Sequence, residues 1–312
     1  MNRLMERNNG FALGATIESK TKGIWAWCRR HPIRPDWNLL LLDTEGLGDI
    51  EKDDANNDNW IFALSILLSS TLVYNFQCSL QSDALGKLHY VTRLTELIKS
   101  KSNQAEEGED EEDFIRFFPN FVWVLRDFTL TLEKNGKPIT SDKYLRKALK
   151  LRKGKSKSVD EYNLPRRCIE DYFKEKKCFV LKRPVAEDKL FSKLETLSDS
   201  ELQKEFLIEV QNFCEYIFSS AMPKSFDGRQ LNGSNLCLLL ETYVQAIGSG
   251  RIPCVEDAVK TMTQIENGKA VKRAIAHYKD KMTKSLQLPS SLDELSSEHG
   301  PSLEEAMKIF MS

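Results

Sequence analysis

The sequence predicts an α/β fold with a mostly parallel sheet covered by helices on both faces, followed by a region of helices alone. As far as Leu181, short apolar runs alternate with longer amphipathic stretches. This alternation is typical of parallel strands joined by helices. From Ser198 onward no strand pattern remains, and apolar residues recur at helical spacing.

Five apolar runs predict the strands, and four longer stretches predict the helices of the first region. The strands are predicted at Ile24–Cys28, Leu39–Leu42, Thr71–Tyr74, Phe121–Leu125 and Cys178–Leu181. The helices are predicted at Asp58–Ser69, Ser79–Ser102, Ser141–Leu151 and Leu164–Phe173.

The second region is predicted as four helices, with a domain boundary inside it. The helices are predicted at Ser198–Ser219, Gly233–Ile247, Val255–Lys284 and Ser302–Phe310, with N-caps at Ser198 or Asp199 and at Asn232. Gly248–Pro253 combines glycines with a proline and predicts the hinge, so the domains are predicted at 1–250 and 251–312. We expect Asn267-Gly268 to interrupt the long helix locally and Gly300-Pro301 to precede the last one.

The composition favours a cytoplasmic protein. Charged residues make up 29% of the chain and leave a formal net charge of −1, so no global field favours nucleic acid. Seven cysteines without a C-x-x-C pair indicate a reducing compartment, and the four histidines show no metal-binding spacing. Trp60–Leu68 is too short to span a bilayer, so we expect no membrane anchor in this chain.

Two charge runs stand out. Glu106–Asp113 contains seven carboxylates, and Lys147–Lys157 is basic. The basic run could contact nucleic acid or anionic lipid, but it lacks interleaved aromatic residues that would stack on bases. Solvated loops are the favoured interpretation of both runs.

The most informative segment is Leu39–Asp49, an apolar run that ends at an acid and is followed by glycines. It is typical of a strand that ends at a phosphate-binding turn. Asp43 there can hold Mg²⁺ through water, and Gly46 can offer its N–H to a terminal phosphate. The alternative is a strand-to-helix turn without a ligand.

Two further elements are compatible with a nucleotide site. The loop before Ile24 contains Thr16 and Thr21, either of which could complete a Mg²⁺ shell, although an ordinary Ser/Thr turn has the same composition. Asp127 follows the strand Phe121–Leu125, and a carboxylate there can accept two N–H bonds from guanine. A local ion pair between Arg126 and Asp127 is the alternative.

The phosphate-loop pattern G-x-x-x-x-G-K-[ST] is absent from the sequence. Gly154-Lys155-Ser156 does not replace it, because Leu149 stands where the first glycine belongs and no strand is predicted before it.

Together these segments resemble the large GTPase domain of the guanylate-binding proteins, which are interferon-inducible, dynamin-related GTPases. The resemblance is carried by Gly14–Trp25, Leu41–Asp49 and Trp123–Phe128, and it continues through Lys176–Val180, Thr242–Ile247 and Gln264–Tyr278. It implies a P-loop-type GTPase domain, without its first strand and phosphate loop here, followed by the start of a helical domain.

The resemblance also implies roles for seven residues, with GTP as substrate and Mg²⁺ as cofactor. Thr21 and Asp43 would hold Mg²⁺, Ser19 and Glu45 would act on the attacking water, and Gly46 would contact the γ-phosphate. Asp127 would bind guanine with Arg126 beside it.

The resemblance further places the family's phosphate loop just before the segment that matches Met1–Leu4, and most of its helical domain beyond Ser312. We therefore expect this chain to bind GTP weakly and to hydrolyse it slowly or not at all. The alternative function is a non-catalytic interaction protein that dimerises with full-length family members, which could recruit it to vesicles or pathogen membranes. Nucleic-acid binding is not expected.

Overall fold

The structure is a computed structural model that describes residues 1–7, 10–11, 21–46, 55–77, 118–191, 193–226, 229–249, 255–287 and 289–311. The chain divides into two compact units, Met1–Leu231 and Asn232–Ser312. Each unit is described by itself.

The first unit contains nine strands and five helices among its described residues. The strands are β1 (Ile24–Arg30), β2 (Asn38–Thr44), β3 (Thr71–Gln77), β4 (Asn120–Arg126), β5 (Glu133–Lys134), β6 (Lys137–Pro138), β7 (Lys176–Val180), β8 (Ser225–Phe226) and β9 (Arg229–Gln230). The helices are α1 (Ala55–Leu68), α2 (Ser141–Ala148), α3 (Lys157–Tyr172), α4 (Asp188–Phe191) and α5 (Lys204–Ser220), with 3-10 turns at Asn2–Met5 and Asp199–Glu201.

The second unit is entirely helical in its described part. It consists of α6 (Gly233–Gly248), α7 (Val255–Ser285) and α8 (Leu292–Met311). The side chain of Asn232 accepts from Asn235 N at 2.9 Å and caps α6, which confirms the predicted N-cap. None of the described helices is long and apolar enough to cross a membrane.

A parallel sheet of order β3-β4-β7 forms the centre of the first unit. In β4, Phe121, Trp123 and Leu125 are fully buried, and Val122 and Val124 on the other face are buried too. A strand buried on both faces indicates that both sides of its sheet are covered. The parallel sheet together with several helices confirms the predicted α/β class. All five predicted strands are present, most of them longer than predicted.

A second sheet pairs β1 and β2 antiparallel, with Ile24 opposite Thr44 and Arg30 opposite Asn38. Among the described strands, β2 pairs only with β1 and β3 pairs only with β4, so each has one open edge. The two sheets nevertheless share a hydrophobic core that includes Leu41, Val122 and Phe213. The open edges therefore belong to two sheets that pack within one core.

Two helices of the first unit differ most from prediction. The helix predicted at Leu164–Phe173 begins earlier, at Lys157, because Ser156 caps it and its first two turns are polar. The single helix predicted at Ser198–Ser219 is wrong, since a 3-10 turn precedes α5. Ser198 and Glu201 form a capping box around that turn, and the chain then restarts as a helix at Lys204.

The predicted breaks in the helical unit are wrong. Helix α7 continues through Asn267-Gly268, and α8 continues through Gly300-Pro301. Proline removes one helical hydrogen bond, but α8 packs along α7 and buries Ser302 and Ala306 immediately after it. Packing therefore outweighs the local preference for a helix end.

Three predictions remain untested by the fold. The helix predicted at Ser79–Ser102 and the acidic run Glu106–Asp113 lie outside the described residues. The domain boundary after residue 250 stays a prediction, while the structural division precedes α6.

Lys224 closes the end of α1. Its ammonium donates to the carbonyls of Ile66 at 3.3 Å and Ser69 at 2.8 Å, which satisfies acceptors that a helix end leaves unpaired. Burial lowers the pKa of Lys224 to about 7.

This pKa predicts that the stability of the first unit depends on pH. An unfolded lysine has a pKa of about 10.4, so between pH ~7 and ~10.4 the unfolded chain holds a proton that folded Lys224 has lost. The free energy of unfolding should therefore rise by up to ~1.4 kcal/mol per pH unit in this window, and the gain should be absent below it. Urea unfolding of wild type and Lys224→Met at pH 7, 8 and 9 measures the difference in slope. Exposed Lys174→Met is the control, and equal slopes for wild type and Lys224→Met would contradict the prediction.

Candidate functional site

The residues predicted to hold Mg²⁺ lie together at the end of β2. The hydroxyl of Thr21 donates to the carboxylate of Asp43, with 3.0 Å between Oγ1 and Oδ2. The antiparallel pairing of β1 with β2 creates this contact, because it sets Trp25 opposite Asp43 and returns the preceding loop toward the strand end. Two residues that are distant in sequence thus become neighbours.

Glu45 extends the same pairing. Its carboxylate accepts from Gly23 N at 2.6 Å, and its own N–H donates to the Gly23 carbonyl at 2.9 Å. Gly23 has a φ of 70°, which favours glycine. Glu45 is 3% exposed and fixes the loop that carries Thr21. Its predicted action on a water molecule stays a prediction.

Gly46 presents an open stretch of backbone. It is exposed, and apart from its chain neighbours no atom of the described residues lies within 4 Å of the point where a Cβ would stand. A ligand can therefore approach the backbone here, as the predicted phosphate contact requires.

The donor set of Thr21 and Asp43 fits Mg²⁺. The Thr21 hydroxyl and the Asp43 carboxylate are hard oxygen ligands 3.0 Å apart. Within the described ranges no group of three His, Cys, Asp or Glu side chains could hold a metal ion. Mg²⁺ usually keeps several waters and takes one or two protein ligands plus phosphate oxygens. Thr21 and Asp43 would hold it in that manner.

The predicted guanine-binding residue lies at the carboxyl end of β4. Asp127 has a φ of 53°, a left-handed conformation that turns the chain sharply after the strand. Its carboxylate accepts from the side-chain amide of Gln77 at 3.0 Å. The next residue, Phe128, donates its N–H to the Leu181 carbonyl at 3.0 Å. The turn is thus anchored on both neighbouring strands.

Gln77 is not among the residues that the sequence motifs indicate. It is the last residue of β3 and pairs in register with Arg126, so it lies beside Asp127. One sequence signal could have indicated Gln77: it is a polar residue at the end of a strand, and that strand neighbours the one that precedes Asp127. Arg126 itself is exposed.

The structure therefore builds two clusters. Thr21, Asp43 and Glu45 are held by the β1–β2 sheet, and Gln77 and Asp127 by the parallel sheet. Ser19 and Thr16 lie outside the described residues.

Comparison with known proteins decides the family. Residues 1–226 match the family model described as guanylate-binding protein, N-terminal domain, and residues 227–312 match guanylate-binding protein, C-terminal domain. The chain belongs to the guanylate-binding protein family. The resemblance drawn from the sequence motifs is confirmed.

Individual family members are similar in sequence to this chain over its whole length. Guanylate-binding protein 1 from Chlorocebus aethiops is 52% identical over 314 residues, and guanylate-binding protein 1 from Homo sapiens is 52% identical over 316. Guanylate-binding protein 2 from Homo sapiens is 51% identical over 314 residues. Each match covers 100% of this chain and 53% of the relative, so the chain spans about half the length of these relatives.

Proposed function

We propose that this chain binds guanine nucleotide together with Mg²⁺, and that it hydrolyses GTP slowly or not at all. The chain belongs to the guanylate-binding protein family. Its resemblance to that family implies GTP as the substrate. The observation that supports a site in this chain is the contact between Thr21 and Asp43, 3.0 Å apart at the end of β2.

Each part of the nucleotide would meet a different group. Mg²⁺ would be held by Thr21 and Asp43, and the γ-phosphate would meet the open backbone of Gly46. Guanine would donate its N1–H and amino group to Asp127, whose carboxylate Gln77 holds in place. Adenine lacks both donors, so this arrangement would reject it.

The absence of a phosphate-loop motif within this chain supports the proposed weak activity. The sequence contains no G-x-x-x-x-G-K-[ST] segment, whose backbone N–H groups and lysine neutralise the β- and γ-phosphates. Losing one such preorganised donor typically costs roughly two to three decades in rate. With several absent together, turnover should not exceed background.

Calorimetric titration with a non-hydrolysable GTP analogue and Mg²⁺ tests the proposal. We expect a dissociation constant between ~10 μM and ~1 mM, that is, about −7 to −4 kcal/mol, and no binding of the ATP analogue. Sub-micromolar affinity would contradict the expected weakening. No heat with either analogue at 1 mM would overturn guanine binding itself.

The second candidate function is a non-catalytic protein that dimerises with full-length family members. Among the described strands β2 and β3 each have an open edge, which favours this candidate, since unpaired strand edges readily pair with another chain. This candidate would be supported if the chain co-purified with a full-length relative and calorimetric titration detected no nucleotide binding. In either role the chain would act in the cytoplasm, in interferon-induced innate defence, and could be recruited to vesicles or pathogen membranes by its partner.

A further inference from the structure

The segment between Lys134 and Lys157 carries a large local excess of positive charge. It contains ten basic residues and one acidic residue, Asp142. Asp142 is engaged within the fold, because its carboxylate accepts from Lys177 Nζ at 2.7 Å and from Cys178 N at 2.9 Å. The segment therefore has no acid of its own available to neutralise its surface lysines.

We call the exposed lysines Lys134, Lys147, Lys150, Lys153 and Lys155 the basic surface. Among the residues that the structure describes, none of these five forms an ion pair with a carboxylate. Lys134 and Lys147 come from different elements, β5 and α2, and lie in contact, which lowers the pKa of Lys147. Two neighbouring cations without an anion between them would be stabilised by an external anion.

The loop that carries this charge is firmly held. The side-chain amide of Asn163 pairs with both the N–H and the carbonyl of Arg152, at 2.8 and 2.9 Å. The buried Arg166 donates to the carbonyls of Ala148 at 3.0 Å and Tyr162 at 2.5 Å. These bonds fix both the start of the loop and the helix behind it. The lysines thus extend from a fixed backbone and not from a disordered tail.

The chemistry of the basic surface favours a ligand that offers many negative charges over one whose single anionic group is recognised in a fixed geometry. Lysine is a compact point charge, whereas arginine is the residue that recognises phosphate groups bidentately. The arginine within the loop, Arg152, stacks on Tyr162 with its guanidinium 3.6 Å from the ring centroid. No exposed aromatic residue lies between residues 130 and 157, so base stacking has no platform.

An exposed leucine lies within this charge. Leu151, between Lys150 and Arg152, is 43% exposed. An apolar side chain surrounded by lysines matches the surface of an anionic bilayer, where cations meet headgroups and a leucine can enter the acyl boundary.

We propose that the basic surface docks the protein onto anionic membranes, with Leu151 inserting among the lipids. Each lysine close to an anionic leaflet contributes about 1 kcal/mol, which is roughly fivefold in the partition coefficient. The attraction falls off within a Debye length and is therefore weakened by salt. The basic surface contains none of the residues that are proposed to bind the nucleotide.

Vesicle flotation tests the proposal. Wild-type protein should bind vesicles of phosphatidylcholine with 30 mol% phosphatidylserine at ~0.1 M salt, and should be released at ~0.5 M. The triple variant Lys150→Gln, Lys153→Gln, Lys155→Gln should bind ~100-fold more weakly. Leu151→Ser should weaken binding to the anionic vesicles about tenfold, because it removes the side chain that inserts among the lipids.

The control variant neutralises three exposed lysines elsewhere in the same unit: Lys174→Gln, Lys193→Gln, Lys204→Gln. It changes net charge equally and should retain wild-type binding. Equal binding to vesicles of phosphatidylcholine alone, or equal losses in the two triple variants, would overturn the proposal. Stronger retention on single-stranded RNA or on polyglutamate than on the anionic vesicles would also overturn it, in favour of those ligands. Circular dichroism of each variant confirms that it is folded.

Discussion

Replacing Asp127 by Asn should reverse the choice between guanine and xanthine nucleotides. The carboxylate accepts from guanine N1–H and from its 2-amino group, whereas an asparagine amide donates its N–H₂ to the carbonyl that xanthine has at that position. Hydrogen bonds to a charged group contribute about 1.5–3 kcal/mol each. The ratio of the dissociation constants for XTP and GTP should therefore change by about 100-fold or more.

The substitution can preserve the hydrogen bond that holds the side chain at position 127. Gln77 donates to Asp127 through its Nε2 at 3.0 Å, and the Asn Oδ1 can accept the same bond. Calorimetric titrations of both proteins with non-hydrolysable XTP and GTP analogues measure the ratio. Exposed Asp171→Asn, on α3, is the matched control and should leave the ratio unchanged. An unchanged ratio in Asp127→Asn would remove Asp127 from the guanine site.

Truncating Trp123 to Ala should cost the first unit roughly 3–5 kcal/mol of stability, as is usual for a buried tryptophan. Trp123 is 0% exposed at the centre of β4. Its ring makes edge contacts with Tyr74 at 5.4 Å and with Phe121 at 5.8 Å between centroids. The loss leaves a cavity that the flanking strands of the parallel sheet cannot close. The midpoint of guanidinium unfolding, followed by circular dichroism, measures it.

Two variants test whether burial causes this loss. Trp25→Ala removes the same side chain from β1, where it is 50% exposed, and should cost less than ~1.5 kcal/mol. Trp123→Phe keeps a ring in the core and deletes an indole N–H that meets no acceptor among the described residues, so it should be milder than Trp123→Ala. A similar midpoint for Trp25→Ala and Trp123→Ala would contradict the central position of β4.

The sequence predicted the parallel sheet because its strands are unmistakably apolar. Phe121–Leu125 is too short for a core helix, rich in aromatic and β-branched residues, and bounded by polar ones. The errors arose where tertiary packing determines the extent of a helix. Pro301 in α8 was expected to precede a helix, and the buried Ser302 and Ala306 explain why α8 continues through it.

The candidate site was predicted only in part, for a related reason. Family motifs pointed to Thr21, Asp43 and Asp127, and the structure brings the first two together. Motifs describe residues along the chain, whereas Gln77 reaches Asp127 across a strand pair that periodicity does not reveal. The bonds between Glu45 and Gly23 likewise depend on the pairing register of β1 with β2.

The unpaired edges of β2 and β3 have a consequence for how the chain reaches its folded state. Among the described strands, each edge leaves a row of backbone donors and acceptors without a partner. Folding is unimolecular, whereas capture of such an edge by another chain is bimolecular. The two processes therefore compete according to dilution, and the refolded yield should fall as protein concentration rises.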